Sequence, residues 1–327
     1  MPKKSRVTFC LKRVNLTIIM KRILITGENS YIGTNFEAWA RKKYPDEFII
    51  DTIDMKGYSW REKSFEGYDC VFHVAGIAHV DIGEDNKWLE QFYNIVNRDL
   101  AIETAKKAKR EGVKQFVFMS SMIIYGNADF VKARINKDTP PHPESIYGNS
   151  KWEADKGVRE LADENFIVTV LRPPMIYGKD SKGNYPRLAY FSRRLWIFPN
   201  IKNERSMLFV YNLCEFVCQV IMRNRGGIFF PQNAEYTCTS EMVREIAKIT
   251  GHKIWISKIF NWVVWTAYHV PGESRAARRL RDLARKAFLN MAYEQDMSVY
   301  DFEYRLYDLK TSLEIAEGTN NGDDEKI

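Results

Sequence analysis

Short apolar runs recur along the first half of the chain, and stretches with helical spacing lie between them. Residues 22–26 form the first run and stop at Gly27, the pattern of a strand buried on both faces. Residues 32–43 then put Phe36, Trp39 and Ala40 on one side of a helix. Runs at 48–53, 70–75, 115–119 and 167–171 predict four more strands. Helices are predicted at 86–111, with its stop at Gly112, and at 146–164, behind a loop containing Pro140, Pro141 and Pro143. Strands alternating with helices predict right-handed crossovers and a doubly wound, parallel α/β sheet. Little chain separates the second and third runs, so one βα unit is predicted to be compressed.

After Pro173 and Pro174 the pattern loosens. The expected organisation is an extension at 1–19 outside the fold, a first domain at 20–175, and a smaller, mostly helical part at 176–317. Some interleaving of the two is expected, followed by a disordered tail at 318–327. The aromatic stretch 254–265 is interrupted by Lys258 and Asn261 and is too short to span a bilayer. It reads as core of the smaller part. The alternative is a membrane-surface anchor, because a basic helix follows with Arg275, Arg278, Arg279, Arg281, Arg285 and Lys286.

Charge narrows the partners. The net charge is +7, and five of the positive charges (Lys3, Lys4, Arg6, Lys12, Arg13) fall in the acid-free first nineteen residues. The remaining chain is nearly balanced, which speaks against a nucleic-acid footprint. Residues 1–19 read as an upstream extension, with a targeting peptide as the alternative. Five cysteines without a CxxC pair suggest neither a zinc site nor a disulfide framework. No metal is expected, and free thiols without a secretory signal suggest the cytoplasm.

The chemistry lies in three places. Gly27 to Gly33, with Ser30 between them, joins the first strand to the first helix, where glycines let a pyrophosphate approach the helix amino-terminus. Asp51 and Asp54, near the end of the second strand, are both candidates to bind an adenosine ribose. Tyr147 and Lys151 stand four residues apart on a helix and share a face. An ammonium beside a phenol favours the phenolate, which predicts a tyrosine pKa below its usual value and a usable general base.

These segments resemble the extended short-chain dehydrogenase/reductase family, in particular its NAD-dependent epimerase/dehydratase branch. Its glycine loop is similar to Gly27–Gly33, with Ser30 in place of the middle glycine. Residues 72–76 look like its fourth-strand motif, Asn97 matches a helix asparagine, and 171–178 are similar to its RPxxxYG segment. The resemblance implies a Rossmann fold with a C-terminal substrate domain and a catalytic set of Ser121, Tyr147 and Lys151. Ser120 reads as a structural hydroxyl. Implied cofactor contacts are Gly27, Ser30, Tyr31, Ile32, Gly33, Asp51, Asp54, Val74, Ala75, Gly76, Asn97, Met119, Tyr147, Lys151 and Pro174. NAD is favoured because no basic residue immediately follows the second strand, Lys56 being the nearest, while NADP stays open.

The implied substrate is a nucleotide sugar, touched by Ser121, Met122, Asn184, Arg205 and Arg305. Dehydratases of this family carry an Asp-Glu pair where this chain has Met122 and Ile123, so dehydration is not expected. That leaves a 4-epimerase on a UDP-hexose or UDP-N-acetylhexosamine, with a 4-keto-sugar reductase as the alternative. A non-catalytic cofactor sensor is a third reading, and such proteins usually lack the Tyr or the Lys. Homodimers are usual in the family.

Overall fold

The computed structural model describes residues 20–78, 86–126, 134–272 and 274–319. The extension at 1–19 and nearly all of the 318–327 tail lie outside the described residues.

Strand β1 (Lys21–Thr26) is the centre of the design. Ile23 and Ile25 turn to one face of the sheet and Leu24 to the other, and all three are buried. A strand covered on both sides needs apolar residues at successive positions, which is why the sequence shows a run rather than an alternation. The parallel sheet has the order β2 (Phe48–Ile53), β1, β3 (Cys70–His73), β4 (Gln115–Met119), β5 (Ile167–Leu171), β9 (Gly227–Phe229). Helix α1 (Tyr31–Lys43) and α6 (Val210–Met222) lie on one face, around Phe36, Trp39, Phe72 and Phe216. On the other face α3 (Leu100–Arg110) and α4 (Ile146–Arg159) bury Phe116, Phe118 and Val170. Each such side chain contributes about 1.5–3 kcal/mol through its removal from water. The sixth strand comes from the second half of the chain, so that half is built into the main sheet.

The crossover from β2 to β3 holds only a single 3-10 turn, Ser59–Arg61, in place of a helix. Buried Trp60 and Phe65 fill the space, and Glu111 on α3 accepts the Phe65 N–H at 2.7 Å. The chain thus runs from β1 to β2 on one side and back to β3 on the other. A crevice opens where the direction reverses, outside the carboxyl ends of β1 and β3.

Three predicted elements differ. The helix expected over 86–111 is α2 (Asn86–Tyr93), a π-helical turn (Asn94–Asp99) and α3 in succession. The helix at 146–164 stops at Arg159. The third strand stops at His73, leaving Val74 and Ala75 in the loop.

In the second half, β6 (Met175–Tyr177) pairs with β8 (Met207–Phe209), and β7 (Ile197–Pro199) with β10 (Trp255–Ser257). Helices α5 (Asn184–Ser192), α7 (Thr239–Ile249), α8 (Asn261–Tyr268), α9 (Arg275–Phe288) and α10 (Leu309–Ala316) surround them. The core reading of 254–265 is corrected here: Trp255, Trp262 and Trp265 are exposed, and within α8 only Val264 is buried. A helix that is apolar on every side cannot bury more than the one stripe its neighbour covers. In the basic helix α9, Arg281 donates to the carbonyls of Val270 and Gly272. The side chains of Arg275, Arg278, Arg279, Arg285 and Lys286 lie outside the described ones.

Candidate active site

The crevice is floored by the loop that leaves β1. Gly27 has φ +102°, and a Cβ placed there would lie 3.0 Å from the backbone N and Cα of Ala75. The β1 and β3 loops therefore touch backbone to backbone, as a bare dinucleotide cradle requires. Ser30 caps α1, its Oγ accepting the Gly33 N–H at 3.2 Å. The serine in the middle position is thus a helix cap, and the first-turn N–H groups of Tyr31 and Ile32 are left to face an anion. Asp54 follows the end of β2, and the adjacent Ile53 carbonyl accepts the N–H of Gly27 and of Glu28. These residues fit a nicotinamide dinucleotide: a glycine cradle for the diphosphate and a carboxylate at the second strand's end.

Gly27→Ala should test the cradle. Positive φ and the Ala75 contact predict a loss of roughly 1–3 kcal/mol in stability, read by urea unfolding, together with weaker dinucleotide binding.

Asp51 is a correction. It stands in mid-strand opposite Leu24, accepts the Tyr68 hydroxyl at 2.8 Å and pairs with Arg22 at 3.5 Å. Two residues of strand, Thr52 and Ile53, separate it from Asp54, so it belongs to a side-chain pair on the sheet and not to the crevice.

The opposite wall comes from β3, β4 and α4. Val74, Ala75 and Gly76 continue from β3 into the crevice, and the Val74 N–H donates to the Thr26 carbonyl. Asn97, fully buried in the π-helical turn, donates from Nδ2 to the Ile77 carbonyl at 3.0 Å and accepts the Ile77 N–H at 2.9 Å. Nδ2 also donates to Ser150 Oγ at 3.1 Å. All of its polar capacity on record clamps the Ile77 loop to α4, so its part in the site is to position that loop.

Helix α4 begins at the Ser145 cap and carries Tyr147 and Lys151 on its inner face. Lys151 Nζ donates to the Met119 carbonyl at 3.0 Å, stands 5.1 Å from the Phe118 ring, and lies 3.3 Å from where a Gly76 Cβ would be. The last residue of β4, the β3 loop and the helix thus meet at one ammonium. Ser121 caps the 3-10 turn after β4, its Oγ accepting the Ile123 N–H at 3.2 Å, and its hydroxyl lies near enough to the Tyr147 phenol to act on its pKa. Both are only partly buried, and the Tyr93 ring lies 5.9 Å from that of Tyr147. Pro174 is buried just past β5, beside Pro173, whose carbonyl accepts the Met122 N–H at 2.9 Å.

The acidified phenol expected from the sequence is corrected in detail. Burial pushes Tyr147 up to about 12, with the Ser121 hydrogen bond pulling the other way, and Lys151 is not among the groups that lower it. The ammonium reaches back to Met119 instead. Burial takes Lys151 down to about 8, opposed by Asp155. Desolvation outweighs the attraction expected between the two groups. The unfolded chain therefore holds more protons than the folded one between about pH 8 and the ordinary lysine value of 10.5. Stability contributed by this site rises with pH across that window. The stability read by urea unfolding, compared between wild type and Lys151→Met, should rise more steeply across that window in the wild type, the remainder coming from groups such as Lys21 whose pKa burial also lowers.

Sequence spacing missed what holds α4 in place. Asp155, one turn beyond Lys151 and fully buried, accepts two bonds from Arg172 at 2.9 Å, one from Arg159 at 2.8 Å and one from Ser120 Oγ at 2.8 Å. Arg172 also donates to the Tyr125 hydroxyl at 2.8 Å, and the Tyr293 hydroxyl donates to the Arg172 carbonyl. The i, i+4 relation of Lys151 and Asp155 was the available signal.

Two substrate candidates lie elsewhere. Met122 is buried among Ile124, Tyr125 and Tyr293, an apolar cluster behind the 3-10 turn. Arg305 donates to the carbonyls of Gln232 and Ser298 and to Gln295, which makes it a clamp between loops. Arg205 is largely withdrawn from water, and burial lowers its pKa to about 10 against the influence of Tyr268. It stays cationic at neutral pH. Asn184 opens α5, directly after Gly183 at φ +97°.

Known proteins match this arrangement. The family model "NAD dependent epimerase/dehydratase family" matches residues 23–229. A UDP-glucose 4-epimerase of Vibrio cholerae is 28% identical over 264 residues, covering 74% of this chain and 80% of the relative. An N-acetyl-alpha-D-glucosaminyl-diphospho-ditrans,octacis-undecaprenol 4-epimerase of Escherichia coli O157:H7 is 26% identical over 218 residues, covering 60% of this chain and 61% of the relative. The crystal structure of a dTDP-4-dehydrorhamnose reductase from Clostridium acetobutylicum superposes with a TM-score of 0.68 at 17% identity, covering 91% of this chain and 99% of that one. With the glycine cradle, the Ser–Tyr–Lys set and a family match over most of its length, the chain belongs to the NAD-dependent epimerase/dehydratase family.

Proposed function

We propose that the protein is an NAD-dependent 4-epimerase of a nucleotide sugar, a UDP-hexose or UDP-N-acetylhexosamine. The observation that carries this is the Lys151 ammonium held between the Met119 carbonyl and Gly76, one helical turn from Tyr147 and its neighbour Ser121, where Ala75 meets Gly27. A nicotinamide dinucleotide bound here would supply the hydride acceptor and donor. Gly27, Tyr31, Ile32, Asp54 and Ala75 would hold it.

In this reading Tyr147 first gives up its own proton to solvent, and its phenolate then accepts the proton of the sugar hydroxyl as the carbon is oxidised and returns it in the reverse step. Ser121, beside the phenol, would donate a hydrogen bond to the same sugar oxygen and orient it. Lys151, fixed by Met119, supplies positive charge to the same corner of the crevice. Arg205 offers a guanidinium to a diphosphate, and Asn184 an amide.

Two facts favour epimerisation. Both sequence relatives named above are 4-epimerases. The turn after Ser121 has no acid to expel a leaving group, because Met122 is core and Ile123 is apolar. Incubation with UDP-hexoses and no added cofactor, read by NMR, is expected to give the C4 epimer. Turnover only of a 4-keto sugar, with NADH or NADPH consumed in equal amount, would make the protein a reductase instead.

A further inference from the structure

The face formed by β7, β10 and α8 has no role in the site just described. Four tryptophans stand on it with most of their surface in water: Trp196 is 73% exposed, Trp255 57%, Trp262 62% and Trp265 63%. Tryptophan is ordinarily well buried, and a cluster of four so open marks a surface that meets something. The strands bring them together, since Trp255 N–H donates to the Trp196 carbonyl at 2.8 Å and β7 and β10 pair in register beyond that point. Ile259 continues the patch at the turn into α8.

Charge identifies the partner. The two segments that build this face, 181–203 and 246–272, contain eight Lys and Arg and no Asp or Glu. Arg193, Arg194, Lys253 and Lys258 flank the tryptophans, and all four are exposed. Outside these two segments basic and acidic residues are nearly balanced in total, the chain carrying 49 basic and 42 acidic residues in all, although the α9 sequence that follows is also basic. Arg193 is paired with Glu317, which leaves Arg194, Lys253 and Lys258 as the cations beside the indoles. Exposed indoles flanked by such cations suit the headgroup layer of a bilayer, where indoles sit between water and acyl chains and cations meet lipid phosphate. No helix among the described residues is long and apolar enough to cross a membrane. The contact is therefore one of lying on the surface.

We infer that the β7–β10–α8 face docks the protein peripherally on an anionic lipid bilayer. The consequence for the site is one of place. Tyr268, at the end of α8, lies close enough to Arg205 to influence its charge. Docking by α8 thus holds the arginine assigned to the substrate diphosphate near the headgroup layer. The inference does not depend on which sugar reaction the crevice performs.

The test uses the full chain and vesicles of phosphatidylcholine with or without phosphatidylglycerol, separated by flotation at low ionic strength. The protein is expected to float with the anionic vesicles and to stay behind with the neutral ones. Trp262→Ser with Trp265→Ser should cut the bound fraction about tenfold or more, as should Lys253→Glu with Lys258→Glu. The second pair changes only exposed lysines and leaves the fold intact, which unchanged dinucleotide binding would verify. Both variants keep residues 1–19, so binding that survives them unaltered would overturn the proposal. Failure of the wild type to float with anionic vesicles would do the same. A change from dimer to monomer on sedimentation of the tryptophan variant would also overturn it and assign the face to a second copy of the chain.

Discussion

Tyr147→Phe is expected to lower turnover by about a thousandfold while leaving the protein folded and able to bind its dinucleotide. The hydroxyl is the only atom removed. General acid–base transfer by one positioned group contributes roughly 10²–10⁴ in rate. The phenol is the partly accessible member of its pair, with Ser121 beside it to remain after the substitution. Initial rates with the preferred UDP-hexose, together with dinucleotide binding by fluorescence, measure both halves of the expectation. Unchanged turnover would sink the assignment of Tyr147 and the epimerase reading with it. Such a result would leave the membrane inference untouched, since flotation does not use the phenol.

The second large effect is expected away from the reacting atoms. Asp155→Ala leaves Arg172, buried to the same degree, without its carboxylate. Breaking a buried ion pair from one side costs about 3–5 kcal/mol, because the remaining charge has lost both water and partner. Urea unfolding should show the midpoint falling with the slope unchanged. Replacing both members, Asp155→Leu with Arg172→Met, should recover part of the loss, since no lone charge then stays buried. Turnover should fall in the single variant as well, because Asp155 lies one turn beyond Lys151 and anchors α4 to the ends of β4 and β5 through Ser120 and Arg172. A single variant as stable as wild type would mean that the network does not hold the helix.

Five strands of the main sheet were legible from the sequence, the four inner ones as runs covered on both faces and the edge strand β2 as a run with Ile49 exposed on one side. The sixth was not: Gly227–Phe229 is three residues long and lies at the sheet's edge, too short for any period to show. The compressed β2–β3 crossover was legible from chain length alone. The glycine turn, Ser121, Tyr147 and Lys151 were legible as spacings, and the structure brings them to one crevice. What spacing concealed was the direction of the polar atoms. Lys151 reaches Met119, thirty-two residues away in the chain, and burial, not the neighbouring phenol, sets the direction of its pKa. Arg305 and Met122 were misplaced for the same reason, one satisfied by carbonyls 73 and 7 residues distant and the other enclosed by Tyr293. The tryptophans of 254–265 read as core because apolar residues usually are; only the fold shows that no second layer among the described residues covers them.

The π-helical turn at Asn94–Asp99 has a consequence for the chain's tolerance of change. Such a turn holds one residue more than its neighbours, so the segment before it and the segment after it are out of phase by about 100° relative to a continuous helix. Losing any one residue between Tyr93 and Leu100 would bring α2 and α3 into phase as a single straight rod. The Asn97 amide would then swing off the Ile77 backbone, and the loop over the crevice would lose its tether to α4. A deletion that is harmless to helix formation would thereby open the catalytic corner, whereas a substitution that keeps the residue count and spares Asn97 would leave it closed.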